Sequence, residues 1–81
     1  MVSVYTKPDC PACKLTKDVL EKEGIEYEVK SLMDEPEVQD IASKMGIKAA
    51  PVVRAPSPSG EGIYQWWGGF RPDRLKALAA A

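Results

Sequence analysis

The stretch YTKPDCPACKL, residues 5–15, decides which fold and which chemistry the sequence predicts. An apolar run at residues 2–5 predicts a strand, and the Thr-Lys-Pro-Asp segment at residues 6–9 predicts a turn after it. Pro11 suits the first position of a helix, because the N–H that proline lacks has no partner there in any case, so Cys10 is the expected N-cap. The stretch therefore predicts a strand, a turn and a helix that begins with two cysteines.

Two cysteines three residues apart can form a redox pair, contribute half of a metal site, or be small buried residues. With Cys10 at the N-cap, Cys13 takes the third helical position on the same face, which permits a disulfide across the turn. The helix dipole favours an anion there, so we expect the pKa of the Cys10 thiol to lie below that of a free cysteine, about 8.5. Lys7 and Lys14 would also lower the pKa of the Cys10 thiol if their side chains point at the sulfur. The pattern therefore favours dithiol–disulfide exchange, with Cys10 as the nucleophile and Cys13 as the resolving thiol.

Two alternatives to the redox pair stay open. The chain has two cysteines and no histidine, which excludes Cys–His catalysis and zinc sites that contain histidine. A zinc ion or an iron–sulfur cluster would need further ligands from a second chain, so this alternative is a metal-bridged carrier dimer. The other alternative is a pair of small buried cysteines without chemistry.

Length and composition bound the remaining function classes. The 81 residues predict a single domain, 1–81, and a content of 44% hydrophobic and 28% charged residues is typical of a globular protein. The formal net charge of −1 gives no electrostatic footprint for nucleic acid or an anionic membrane. We see no apolar run near the roughly 20 residues that cross a bilayer and no apolar core of a signal peptide, so we expect a cytoplasmic protein.

Hydrophobic periodicity divides the rest of the chain into helices and strands. The first helix is expected to end at Gly24 and to bury a stripe made of Ala12, Leu15, Val19 and Leu20. Alternating apolar residues at 25–29 predict a half-buried second strand. A second helix is expected from about Glu35, with Pro36 at its start, to Gly46, and its buried stripe is made of Val38, Ile41, Ala42 and Met45.

The last part of the chain predicts a hairpin and a third helix. A short strand at 52–53, a turn-rich connection at 56–62 and a returning strand at 63–67 form the expected hairpin, and the helix opens at Pro72. The element order is β-α-β-α-β-β-α, with the first two strands parallel and the last two antiparallel. This order predicts an α/β fold in which three helices flank a four-stranded mixed sheet.

Three motifs give the chain a resemblance to the thioredoxin superfamily in its short, glutaredoxin-like form. They are the strand, turn and CPAC helix at residues 2–20, the Ala-Pro-Val step at 50–52 before a strand, and WGGFRPD at 67–73. The last motif is similar to the WSGFRPD signature of NrdH-redoxins, with Gly68 where that family usually has serine. The resemblance spans essentially residues 1–76 and implies a thioredoxin-like fold.

The resemblance to NrdH-redoxins implies an electron carrier that thioredoxin reductase reduces and that in turn reduces the large subunit of class Ib ribonucleotide reductase. It implies a monomer without a metal and without a cofactor beyond the Cys10–Cys13 disulfide. It also implies that Pro51 is a cis-proline beside the active-site thiol and that the backbone of Val52 meets an extended partner. The residues that we expect to contact substrate or partner are Lys7, Pro11, Ala12, Ala50, Pro51, Val52, Trp67, Gly68, Gly69, Phe70, Arg71 and Asp73.

Two features of these motifs bear on the electron donor. In glutathione-dependent glutaredoxins, acidic residues follow the two glycines and bind the amino end of glutathione. Here Phe70 and Arg71 stand in those positions, where an ammonium group gains nothing from a cation, and Asp73 is the nearest carboxylate. In contrast, Pro11 and Ala12 between the cysteines resemble glutaredoxins more than NrdH-redoxins. A glutathione-dependent glutaredoxin therefore stays open as the alternative.

The adjacent tryptophans Trp66 and Trp67 are expected to face opposite sides of their strand. One of them should lie in the core, and the other can contribute to a hydrophobic partner surface. Trp67 belongs to the signature motif, but the sequence alone leaves open which of the two is buried.

Overall fold

The structure is a computed structural model that describes residues 1–57, 60 and 62–80. The elements are β1 (Val2–Thr6), α1 (Pro11–Lys22), β2 (Tyr27–Ser31), a short 3₁₀ helix (Leu32–Asp34), α2 (Pro36–Lys44), β3 (Val52–Pro56), β4 (Tyr64–Gly68) and α3 (Pro72–Ala80). Apart from the 3₁₀ helix, this is the predicted order. Pro58, Ser59 and Glu61 of the predicted connection, and the terminal Ala81, lie outside the described residues.

The four strands form one mixed sheet in the order β2-β1-β3-β4. β1 runs parallel to β2, and Val4 lies opposite Val29 in that pair. β1 and β3 are antiparallel, with Val4 opposite Val53, and β3 and β4 form the antiparallel pair expected of a hairpin. The predicted α/β fold, with a four-stranded mixed sheet and three helices, is confirmed.

Alternation along the strands divides the buried side chains between the two faces of the sheet. The face covered by α1 and α3 carries the larger cluster, made of Val2, Val4, Leu20, Val53, Ala55, Trp67 and Leu75. The face covered by α2 carries a smaller cluster, made of Tyr5, Val38, Ala42 and Val52, against which Leu32, Ile47 and Trp66 pack. The sheet therefore separates the helix that bears the cysteines from α2.

The buried stripe of α1 differs from the predicted one. Leu20 is fully buried as expected, but Leu15 is 48% exposed, and the other buried residues of the helix are Cys13 and Thr16. Residues 13, 16 and 20 share one face, whereas residue 15 lies roughly 200° around the helix from residue 13. Thr16 tolerates burial because its hydroxyl donates a 2.8 Å hydrogen bond to the carbonyl oxygen of Ala12.

Two smaller differences occur outside α1. Met45 was expected in the buried stripe of α2, but it is the C-cap residue after Lys44 and is 53% exposed. Val29 was expected on the buried face of a half-buried strand, but its side chain is 46% exposed, and β2 is an edge strand with a neighbour on one side only. The predicted end of α2 at Gly46 holds, since this glycine adopts a φ of +72°, which favours glycine.

Leu20 and Leu15 offer a matched test of how α1 is rotated. We expect Leu20→Ala to lower the free energy of unfolding by about 2–5 kcal/mol, because it opens a cavity in the core. Leu15→Ala makes the same chemical change on the exposed side of the same helix and should cost only about 0.5 kcal/mol. Urea denaturation measures both losses, and equal losses would mean that the predicted stripe through Leu15 is the correct one.

Candidate active site

The two cysteines lie at the start of α1, after the turn that follows β1. Cys10 is the N-cap in extended conformation, and its sulfur accepts a hydrogen bond from the backbone N–H of Cys13 at 3.1 Å. The two residues are joined by a disulfide, with their Cα atoms 5.2 Å apart. The predicted N-cap is confirmed, and the structure is that of the oxidised protein.

The two sulfur-bearing residues differ in exposure. Cys13 is 4% exposed and packs inside the first turn of α1, whereas Cys10 is only partly buried. A disulfide partner arriving from solvent therefore meets Cys10 first. The first turn of α1 carries no acidic residue, so the helix itself places no negative charge against a thiolate at its N-terminus. Lys7 and Lys14 on either side of Cys10 are exposed.

The loop before β3 contains the expected cis peptide bond, between Ala50 and Pro51. Pro51 is fully buried, and its carbonyl oxygen accepts a 2.9 Å hydrogen bond from the backbone N–H of Gly69. Gly69 has a φ of +79°, a conformation that favours glycine. The hydrogen bond thus joins two of the segments that were predicted to contact a partner, residues 50–52 and the WGGFRPD motif at residues 67–73.

The structure decides between the two tryptophans. Trp67 lies opposite Val53, belongs to the core cluster under α1 and α3, and is 4% exposed. Trp66 points to the α2 face, where it is partly exposed and stacks on Tyr5 with ring centroids 6.4 Å apart. Trp67 was expected to contact a partner, but its ring is enclosed in the core. Trp66, the other tryptophan considered for a partner surface, is the one that is accessible.

Arg71 and Asp73 form an ion pair at the start of α3. The guanidinium donates from Nε to Oδ1 at 3.2 Å and from Nη2 to Oδ2 at 3.0 Å. The hydrogen bond from Arg71 lowers the pKa of the Asp73 carboxyl, and the same contact raises the pKa of Arg71. Both side chains are exposed. Arg71 was expected to be an unpaired cation, but in the structure its charge is matched by the carboxylate of Asp73.

A cavity of about 280 Å³ lies between α2 and the cis-proline loop. It brings together Lys7, Ala50 and Val52, three of the expected contact residues, with Ile47 and Lys48. Ile47 and Lys48 were not among the expected contact residues, although their position within four residues of Pro51 could have suggested them. No carboxylate lines the described part of this cavity, so its two lysines face no acidic counterpart there.

Neither a metal cluster nor a membrane span is found in the described parts of the chain. Residues 1–57, 60 and 62–80 bring together no three cysteine, histidine or acidic side chains able to hold a metal ion. Within the same residues, no helix is both long and apolar enough to cross a bilayer. A metal bridged between two chains would draw half of its ligands from the second chain. The metal content of the purified protein tests that alternative.

Comparison with known proteins places the chain among small redox proteins. The profile of the glutaredoxin family matches residues 2–56. The glutaredoxin-like protein NrdH of Escherichia coli (strain K12) is 32% identical over 80 residues, which cover 99% of this chain and 90% of that protein. The protein of the same name from Lactococcus lactis subsp. lactis (strain IL1403) is 33% identical over 79 residues, 98% of this chain and 100% of that protein.

A solved structure of the glutaredoxin-like protein NrdH-redoxin from Escherichia coli, which has a thioredoxin-like activity profile, is similar with a TM-score of 0.76. The sequence identity is 32%, and the match covers 95% of this chain and 92% of that one. The likeness therefore extends over both the segment with the cysteines and the segment with the cis-proline.

The Arg71–Asp73 pair predicts a pH dependence with a defined sign. Because the pKa of Asp73 is lowered in the folded protein, the stabilisation by this pair is present above the pKa of an unfolded aspartate, about 3.9, and is lost as the pH falls through the lowered value. Arg71→Ala should raise the pKa of Asp73 towards its ordinary value, as measured by NMR titration of the carboxyl carbon. Arg74→Ala, at the residue that follows Asp73, is the control, and an equal shift in that variant would contradict the pairing.

Proposed function

Because the chain belongs to the glutaredoxin family, among its NrdH-redoxins, we propose that it carries electrons from thioredoxin reductase to a class Ib ribonucleotide reductase. It is a thiol–disulfide oxidoreductase. In this proposal the large subunit of the reductase is the recipient. The protein works in the cytoplasm as a monomer, and its redox group is the Cys10–Cys13 pair without a further cofactor.

The observation that carries the proposal is the asymmetric cysteine pair at the start of α1. Cys10 is partly exposed at the N-cap, and Cys13 is enclosed but within disulfide distance of it. This arrangement supports Cys10 as the attacking thiolate and Cys13 as the thiol that resolves the mixed disulfide. The backbone N–H of Cys13, which donates to the Cys10 sulfur, is placed to stabilise a negative charge on that sulfur.

The exchange proceeds in two steps. The Cys10 thiolate attacks one sulfur of the substrate disulfide, a new S–S bond forms, and the other substrate sulfur leaves as a thiolate. Cys13 then loses its proton and attacks the Cys10 sulfur, which forms the Cys10–Cys13 disulfide and releases the second substrate thiolate. Two electrons pass from the dithiol to the substrate, and the two released thiolates take up the protons that the two cysteines gave up.

The Arg71–Asp73 pair supports thioredoxin reductase as the electron donor. The amino end of glutathione would need a free carboxylate beside the two glycines, and Asp73 is already held by two hydrogen bonds from Arg71. The similar Escherichia coli protein has a thioredoxin-like activity profile. Both observations favour recycling by a protein reductase over recycling by glutathione.

One observation favours a second candidate function, that of a glutathione-dependent glutaredoxin. The cavity beside the cis-proline is lined by Lys7 and Lys48 and has an apolar part formed by Ile47 and Val52. Such a site suits a short chain that ends in a carboxylate, and glutathione has one at each end. The Pro-Ala sequence between the cysteines agrees with this candidate.

A coupled assay separates the two donors. Oxidised protein, NADPH and a disulfide substrate are combined with thioredoxin reductase in one cuvette and with glutathione plus glutathione reductase in another. We expect NADPH consumption only with thioredoxin reductase, because Asp73, the carboxylate that follows the two glycines, is held by Arg71. Turnover with glutathione alone would overturn the proposed donor and favour the second candidate. Adding a class Ib ribonucleotide reductase as the sole acceptor then tests the recipient.

The two cysteines should behave differently when each is replaced by serine. Cys10→Ser is expected to abolish disulfide reduction while α1 stays folded, since a serine hydroxyl also serves as an N-cap. The Cys13→Ser variant keeps the nucleophile but lacks the thiol that resolves the mixed disulfide. It should therefore accumulate a mixed disulfide with its partner, visible by mass spectrometry. Full turnover by Cys10→Ser would show that the roles are assigned wrongly.

A further inference from the structure

Gly68 is the last residue of β4, and a side chain at this position has no room. A Cβ atom built on Gly68 would overlap the Cγ2 methyl of Ile47 and would lie 2.7 Å from the carbonyl oxygen of Ala49. The backbone conformation at Gly68 is not the left-handed one that favours glycine. Space rather than the dihedral angle φ therefore requires a glycine here.

Both neighbours of Gly68 are held in place. The backbone N–H of Ile47 donates a 2.8 Å hydrogen bond to the carbonyl oxygen of Ala42 at the end of α2, and the Ile47 side chain packs against the cluster on that face. The contact at Ala49 is with a backbone atom, which cannot rotate away as a flexible side chain can. An added Cβ would therefore have to displace the loop itself.

The loop in question leads directly to the cis-proline. Its next residues are Ala50 and Pro51, and the carbonyl oxygen of Pro51 accepts the hydrogen bond from Gly69, the residue after Gly68. The segments at 47–51 and 68–69 thus meet at two places: at Gly68, which lies against Ile47 and Ala49, and at the hydrogen bond from Gly69 to Pro51. A displacement at the first contact would be transmitted to the second.

We propose that Ile47 and Gly68 are matched positioning residues, which hold the cis-proline loop in the place from which it receives a protein disulfide substrate. The feature that matches them is the β-branch of Ile47, whose Cγ2 methyl fills the space that a side chain at residue 68 would need. The proposal rests on the proposed function in one respect, namely that residues 50–52 contact the substrate. It does not depend on the identity of the electron donor or recipient.

The test uses Gly68→Ala alone and combined with two substitutions of Ile47. Ile47→Leu moves the branch from Cβ to Cγ and removes the Cγ2 methyl, whereas Ile47→Val keeps the β-branch and serves as the matched control. Both single variants of Ile47 are measured beside the doubles, so that the loss of packing by Ile47 itself is subtracted. The unfolding midpoint is measured for every variant.

Activity is measured in single turnover with pre-reduced protein, so that neither reductase enters. The two disulfide substrates differ in size. Insulin must dock on the surface of the redox protein, whereas 5,5′-dithiobis(2-nitrobenzoate) is too small to span the cis-proline loop. Gly68→Ala should lower the unfolding midpoint by roughly 5–15 °C. It should also lower the rate constant with insulin by roughly tenfold, which is a larger loss than with the small disulfide.

The double variant with leucine should recover part of both losses, because the close approach to the carbonyl oxygen of Ala49 remains, and the double variant with valine should recover neither. Recovery in neither double variant, or equal recovery in both, would overturn the matching of Ile47 with Gly68. Equal losses with insulin and with the small disulfide would overturn the positioning role and leave the contact purely structural. A failure of the proposed donor or recipient would leave these single-turnover rates unaffected, so the two failures are distinguishable.

Discussion

The hydrogen bond from the backbone N–H of Cys13 to the sulfur of Cys10 is the constraint on which the rest of the structure depends. It caps the first turn of α1, and Cys13 in that turn lies on the buried face of the helix. With Cys13 turned inward, Thr16 and Leu20 follow on the same face and enter the core, and Leu15 is left outside. The same bond supplies a donor to the Cys10 sulfur, so the interaction that caps the helix also fits the proposed role of Cys10 as the nucleophile.

The second constraint is the close approach of two loops at the carboxyl end of β4. Antiparallel pairing of β3 with β4 brings Gly68 and Gly69 beside the cis-proline loop, where glycine at both positions allows backbone to meet backbone. Gly69 adopts a left-handed conformation that favours glycine. At Gly68 a side chain is excluded because Ile47 already occupies the space that it would need. The departure of Gly68 from the WSGFRPD signature therefore has a steric explanation within this chain.

The ion pair between Arg71 and Asp73 disfavours glutathione as the electron donor, but for a different reason than the sequence suggested. Arg71 is not a free cation that repels glutathione, since Asp73 balances it, but the same pair removes the carboxylate that glutathione would use. The lysines of the neighbouring cavity, Lys7 and Lys48, favour an anionic ligand instead. On one side of the cis-proline loop the Arg71–Asp73 pair therefore disfavours glutathione, whereas on the other side the two lysines favour an anionic ligand.

The sequence by itself determined the order of the elements, the parallel pairing of β1 with β2, the antiparallel pairing of β3 with β4, the N-cap at Cys10 and the redox chemistry. These follow from local patterns, such as the position of a proline, the spacing of two cysteines and the alternation of apolar residues. Only the tertiary structure decided that Trp67 is buried while Trp66 is accessible, that Leu15 faces outward, and that Gly68 meets Ile47. Those outcomes depend on how helices rotate and how loops distant in sequence approach one another, and a local pattern contains neither.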